Sequence, residues 1–145
     1  MKKLFTTEAV TSGHPDKMCD LIADAILDAY LKEDENSRVA CEVVASNSQI
    51  LIIGEITSKA KIKVEDIARK IICDIGYDND ELGFNGNTIK IITDLNKQSS
   101  DIALGVDKED TGAGDQGIMY GYATNETDNY MPLVHNLSCS LVKRL

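Results

Sequence analysis

The chain has 145 residues, 43% of them hydrophobic and 27% charged, with a formal net charge of −9. This length supports one modest hydrophobic core, and the composition excludes a disordered or fibrous chain. The excess of 24 acids over 15 Lys and Arg excludes general nucleic-acid binding, which needs a basic surface, and no apolar run approaches the roughly 20 residues that span a bilayer.

The first candidate element is a strand, Leu4 to Val10. A helix follows from Pro15 to about Leu31, because Met18, Leu21, Ile22, Ala25, Ile26 and Ala29 recur at helical spacing as one apolar stripe. Pro15 suits the first helical position and makes His14 the cap. Asp20, Asp24 and Asp28 lie on the opposite, wet face. Arg38 to Ala45 and Gln49 to Thr57 are the clearest strands, joined through Ser46-Asn47-Ser48 as a hairpin. A second helix carries Val64, Ile67, Ala68, Ile71, Ile72 and Ile75 on one face and ends at Gly76, a left-handed cap. Thr88 to Thr93 reads as a strand, Asp94 to Thr111 as a long polar loop, Ile118 to Ala123 as a strand, and Pro132 to Leu145 as a final helix. The order βαββαβ predicts an α/β (α+β) class, with helices covering one face of a mixed sheet.

The first eight residues lack the apolar core of a signal peptide, so a cytoplasmic location is expected. Cys19, Cys41, Cys73 and Cys139 form no C-x-x-C pair. With His14 and His135 as the only histidines, this spacing disfavours structural zinc and suggests small buried thiols in a reducing compartment.

Three places carry candidate chemistry. A helix that starts at Pro15 presents four free N–H groups and a positive dipole end, which favours a phosphate there. The His14 imidazole would donate to that phosphate, Asp16 would hold a bridging Mg²⁺ and Lys17 would add a point charge. The competing reading is a helix with a polar cap and no ligand. Second, Glu42 and Glu55 lie in apolar strands. If Ala45 pairs with Ile50, Glu42 faces Ile53, Ala40 faces Glu55, and the two carboxylates share one sheet face on a diagonal, where they would meet a metal ion, a substrate ammonium or a lysine. A one-residue slip on one strand would separate them, and two solvent-facing acids are the alternative. Third, Gly112, Gly114 and Gly117 satisfy G-x-G-x-x-G, but a dinucleotide site needs a buried strand before and a helix after. Here Lys108-Glu109-Asp110-Thr111 precedes, a β-prone aromatic segment follows, and Asp115 would repel a pyrophosphate. The glycines instead suit a tight turn close to a ligand, with Asp115 recognising a polar or cationic group.

Thr6-Thr7-Glu8-Ala9-Val10-Thr11-Ser12-Gly13-His14-Pro15-Asp16-Lys17 resembles the N-terminal signature of the methionine adenosyltransferase (S-adenosylmethionine synthetase) family. Gly54-Glu55-Ile56-Thr57, Gly76-Tyr77, Gln98-Ser99-Ser100-Asp101-Ile102, Gly112 to Gly117 and Gly121-Tyr122-Ala123-Thr124-Asn125-Glu126-Thr127 follow in that family's order. The resemblance covers essentially all of the chain. It implies synthesis of S-adenosylmethionine from ATP and L-methionine: sulfur attacks the ribose C5′, triphosphate leaves, and the same site cleaves it to pyrophosphate and phosphate. It also implies that His14 binds ATP and, with Lys17, acts catalytically on the leaving group. By the same resemblance Asp16 holds Mg²⁺, Glu42 holds K⁺, Glu55 and Gln98 bind methionine, and Asp115 contacts the methionine or ATP. The implied domains are 1–97, a gating loop 98–111, and the truncated start of a similar central domain, 112–145.

Family chains are well over twice as long and act as dimers or tetramers, so this chain is expected to work within a homo-oligomer or with a complementing C-terminal portion. The alternative is a non-catalytic binding or regulatory fragment. The chain also departs from the family pattern in a shorter loop between Val106 and Gly112, and in Ser138-Cys139-Ser140 where Ala-His-Lys or similar is expected.

Overall fold

The computed structural model describes residues 3–97 and 116–145. The chain divides into two compact units, Ser12–Gly114, and Met1–Thr11 together with Asp115–Leu145.

In the larger unit, α1 (Pro15–Glu33) is followed by β1 (Arg38–Ser46), β2 (Gln49–Thr57), α2 (Val64–Ile75), a 3₁₀ turn (Asp80–Leu82) and β3 (Lys90–Asn96). The three strands lie in the order β1-β2-β3. β1 and β2 are antiparallel with Ala45 opposite Ile50 and Glu42 opposite Ile53, the register on which the shared face of Glu42 and Glu55 was conditional. β3 joins β2 in parallel, with Ile50 level with Ile91. The sheet is therefore mixed, as the α+β reading requires, and α2 is the crossover of a β-α-β unit.

Strand alternation sorts the side chains. Val39, Cys41, Val43 and Ala45 of β1 and Ile50, Ile52 and Ile56 of β2 point to the side where both helices pack. There, Met18, Ile22, Ile26 and Tyr30 of α1 meet Val64, Ala68 and Ile72 of α2. Ile22, Ile26, Ile50, Ile52 and Ile72 are fully buried, and each such burial contributes about 2 kcal/mol. The other sheet face carries Ala40, Glu42 and Val44 of β1 and Leu51, Ile53 and Glu55 of β2, and among the described residues no helix of this unit packs on it.

The end of α2 forms as the sequence predicts. Gly76 ends α2 in the left-handed region at φ 116, where its N–H donates to Cys73 O. α1 runs two residues past its expected end, to Glu33. The Asp34 that follows ties its end to the sheet: the Asp34 carboxylate accepts from Lys59 N–H at 2.8 Å, Asn36 N–H at 3.2 Å and Ser58 Oγ at 3.2 Å. The Lys59 N–H foremost, with these other donors, holds the Asp34 carboxyl below the usual carboxylate range. A lowered folded-state pKa stabilises the fold above the unfolded pKa and loses that contribution as pH falls through the folded one. Asp34→Ala is therefore expected to lower the thermal midpoint near neutral pH, and the gap to the parent should close as pH drops below about 4. A gap that stays constant from pH 7 to pH 3 would rule this out.

Two expected strands do not form. Leu4 to Val10 and Ile118 to Ala123 have strand-like composition but no ladder. A strand exists only as part of a ladder, and among the described residues neither segment joins one. Conversely, β3 starts at Lys90 and continues through Asn96, beyond the Thr93 at which the polar sequence suggested a loop. Its pairing with β2 holds Asp94 level with Ile53 and Asn96 level with Glu55.

In the smaller unit, α3 (Leu133–Val142) is shorter than the predicted 132–145 helix. Pro132 at its start supplies no side-chain cap, and the Glu126 carboxylate accepts from Leu133 N–H at 3.1 Å in its place. Among the described residues, no helix is long and apolar enough to cross a membrane.

Candidate functional site

His14 caps α1, as the Pro15 position predicted. Its Nδ1 accepts from Asp16 N–H at 3.3 Å, and its carbonyl accepts from Met18 N–H at 2.9 Å. In the neutral ring a lone pair used at Nδ1 leaves the proton on Nε2, so the imidazole offers a donor away from the helix. The capping also corrects the expected nest of four free amides. Pro15 has no N–H, and the Asp16 N–H is taken by the ring. An anion at this helix start would therefore rely on the Nε2–H, the helix dipole and the Lys17 ammonium more than on backbone donors. Asp16 and Lys17 are both exposed in the first turn.

Sequence reasoning gave no role to the group that fixes this helix start. Tyr77 OH donates to Gly13 O at 3.0 Å, across 64 residues of sequence. Its ring meets Phe84 edge-on, with centroids 5.3 Å apart. A side chain at position 13 would place its Cβ 2.8 Å from the Tyr77 hydroxyl, so the Tyr77 ring would have to move aside. A cavity of about 230 Å³ lies beside it, lined by Gly13, Pro15, Tyr77 and Phe84 together with Ser46 and Asn47. The start of α1 therefore lies at the turn end of the hairpin. The Gly76-Tyr77 dipeptide marked the residue, but only the fold reveals its contact.

Glu42 and Glu55 share the helix-free sheet face, as the register predicted: Glu42 is opposite Ile53, and Glu55 opposite Ala40. Glu42 is exposed and Glu55 half-buried. Gly54 makes the strand crossing next to Glu55 possible. Its φ is 147, and an added Cβ would lie 2.0 Å from Ala40 O. At about 3.3 Å per residue, Glu42 sits roughly 13 Å along β1 from Ser46, so the two glutamates lie away from the turn end of the hairpin, where α1 starts. Gln98 and Asp115, with Gly112 and Gly114, lie outside the described residues.

Among the described residues, no group of three or more His, Cys, Asp or Glu side chains is placed to hold a metal ion. The oxygen donors present suit another mode. Mg²⁺ commonly takes one or two carboxylates and completes its shell with phosphate oxygens and water, and Asp16 offers such a carboxylate beside the His14 imidazole.

Comparison with known proteins agrees with the motifs. The family described as S-adenosylmethionine synthetase, N-terminal domain, matches residues 2–100, and the S-adenosylmethionine synthetase central domain matches residues 110–145. The chain is 54% identical over 144 residues to a protein named S-adenosylmethionine synthase from Mesoplasma florum, covering 98% of this chain and 38% of that one. It is 46% identical over 157 residues to the protein of that name from Clostridium botulinum, and 48% identical over 158 residues to that from Finegoldia magna, covering 100% of this chain and 40% of each relative. The chain thus spans about two fifths of the length of these relatives. With both domain matches in sequence order, the chain belongs to the S-adenosylmethionine synthetase family.

Proposed function

We propose that this chain supplies the ATP-facing and methionine-facing part of an enzyme that makes S-adenosylmethionine from ATP and L-methionine. The observation that carries the reading is the His14 cap, which sits inside the family's N-terminal match with its Nε2–H directed away from α1. In this reading His14 donates to the triphosphate oxygen that gains charge as the C5′–O bond breaks, and Lys17 adds a positive charge there. Asp16 would hold Mg²⁺ and Glu42 K⁺, and the bound cations would offset the negative charge of the triphosphate. Glu55, with Gln98 and Asp115, would take the methionine and the adenosyl group, where carboxylates favour the positive charge that grows on sulfur. The work is expected within a homo-oligomer.

A second reading is a non-catalytic fragment that pairs with a C-terminal chain or a full-length enzyme. One observation favours a covering partner: Leu133, Leu137 and Leu141 stand one turn apart on α3 and are 47%, 54% and 68% exposed.

Both readings meet in one experiment. The 145-residue chain is given ATP, L-methionine, Mg²⁺ and K⁺, alone and joined to the remaining three fifths of the Mesoplasma florum relative. The joined protein is expected to form S-adenosylmethionine at about 1 s⁻¹ or faster, the isolated chain to form little, and His14→Asn in the joined protein to lower kcat roughly 100-fold. An unchanged kcat in His14→Asn defeats the role given to His14. A joined protein that folds and stays inactive supports the fragment reading.

A further inference from the structure

A side chain points where its backbone aims it, and the backbone of His14 is held on both sides. On the helix side its carbonyl accepts from Met18 N–H at 2.9 Å, and its ring accepts from Asp16 N–H at 3.3 Å. Both donors belong to the first turn of α1, so they fix the ring only relative to that helix. The Asp16 bond is also long, and by itself it holds the ring weakly. On the other side lies the Gly13–His14 peptide. Its carbonyl accepts from the Tyr77 hydroxyl at 3.0 Å, a bond that reaches α1 from 64 residues away. That bond fixes the peptide plane from which the His14 φ of −64° is set.

Tyr77 is itself anchored. It follows Gly76, the cap of α2, and its N–H donates to Ile72 O at 3.2 Å. Its carbonyl accepts from Gly86 N–H at 2.8 Å, and the Gly86 carbonyl accepts from Arg69 Nη1 of α2 at 2.7 Å. Gly86 packs tightly on α2, since an added Cβ there would stand 2.7 Å from Cys73 Sγ and 3.0 Å from Arg69 O. The edge-on contact with Phe84 fixes the ring of Tyr77. The hydroxyl is thus the tip of a strut that runs from the end of α2 to the start of α1. Gly13 and Tyr77 are both half-buried, which limits competition from water for their bond.

We propose that Tyr77 is the positioning residue for His14: its hydroxyl fixes the Gly13–His14 peptide and so keeps the His14 Nε2–H aimed away from α1. Tyr77 acts through the imidazole and not on a ligand. Without the hydroxyl the peptide is free to turn, the ring leaves the Asp16 N–H, and the proton is shared between Nδ1 and Nε2. That the orientation serves turnover rests on the role proposed for His14; the orientation itself does not. Misplacing a reacting group by about 1 Å costs on the order of 100-fold in rate, so loss of one remote bond is expected to cost roughly tenfold.

Two measurements test this. In the 145-residue chain labelled with nitrogen-15 at histidine, His14 and His135 give two imidazole patterns, and His14→Asn identifies which is which. At about pH 8.5, above the ordinary histidine range, the parent is expected to show His14 as one tautomer with its proton on Nε2. Tyr77→Phe keeps the ring and removes the hydroxyl. It should move His14 toward a mixture of tautomers and leave His135 unchanged. A mixed His14 in the parent, which needs no variant, or an unchanged His14 in folded Tyr77→Phe would overturn the proposal. In the chain joined to the remainder of the Mesoplasma florum relative, Tyr77→Phe is expected to lower kcat roughly tenfold with the KM for L-methionine within about twofold. Added to His14→Asn it should cost nothing more, because its effect runs through the imidazole. Where His14→Asn is impaired, an unchanged kcat in Tyr77→Phe, or an equal loss in both backgrounds, defeats the positioning role. If His14→Asn alone leaves kcat unchanged, the role given to His14 fails, and the tautomer spectra still decide whether Tyr77 orients the ring.

Discussion

Gly54→Ala is expected to destabilise the larger unit by about 3 kcal/mol or more, enough to unfold a marginal domain at ambient temperature. Two separate effects add. At φ 147 the backbone is in a region that an L side chain enters only with strain. The new methyl carbon would also stand 2.0 Å from Ala40 O, 3.0 Å from Ala40 C and 3.1 Å from Cys41 Cα. These are backbone atoms of the paired strand, so no rotamer change relieves the overlap. Either β1 moves away from β2 or the ladder at Cys41–Gly54 opens. Both outcomes displace Glu55, the next residue. Urea unfolding followed by far-UV circular dichroism measures the loss, and a variant within 1 kcal/mol of the parent would show that the strands can part there at little cost.

Ile52→Ala should cost about 2–5 kcal/mol, the range for deleting a large aliphatic side chain from a packed core. Ile52 is fully buried on the central strand, opposite Val43 and beneath both helices. Ile53→Ala is the matched comparison, since Ile53 is the next residue on the same strand and points to the helix-free face. Its loss should be less than half as large in the isolated chain. Equal losses, or a larger one at Ile53, would mean that the faces are assigned the wrong way round, the one-residue slip to which any strand is exposed.

Helical periodicity was enough to place α1 and α2, because their stripes repeat over three turns and Pro15 and Gly76 punctuate them. The hairpin register was legible as a condition: if Ala45 pairs with Ile50, then Val43, Ala45, Ile50 and Ile52 share one side, and that is the pairing found. Legibility ended where a segment depends on a remote partner. Leu4 to Val10 and Ile118 to Ala123 have the composition of strands but join no ladder among the described residues, whereas Asp94 and Asn96 look like loop and are held in a strand by β2. The site follows the same division. His14 as a cap and the shared face of Glu42 and Glu55 come from local rules. The Tyr77 contact to Gly13 and the approach of Ala40 to Gly54 depend on three-dimensional packing. The amides open to an anion at α1 were overcounted, because the ring that caps the helix consumes one of them.

The parallel pairing of β3 has a consequence for how the larger unit assembles. The antiparallel hairpin closes through two residues, Asn47 and Ser48, a step that takes microseconds. The partner of Gln49 on β3 is Lys90, and that pairing must wait until α2 and the turn after it have been placed. As a nascent chain leaves the ribosome, α1 and the hairpin are therefore complete well before the third strand exists. His14, Glu42 and Glu55 all belong to this early part, so the proposed ligand-facing residues are laid out first and β3 completes the sheet afterwards.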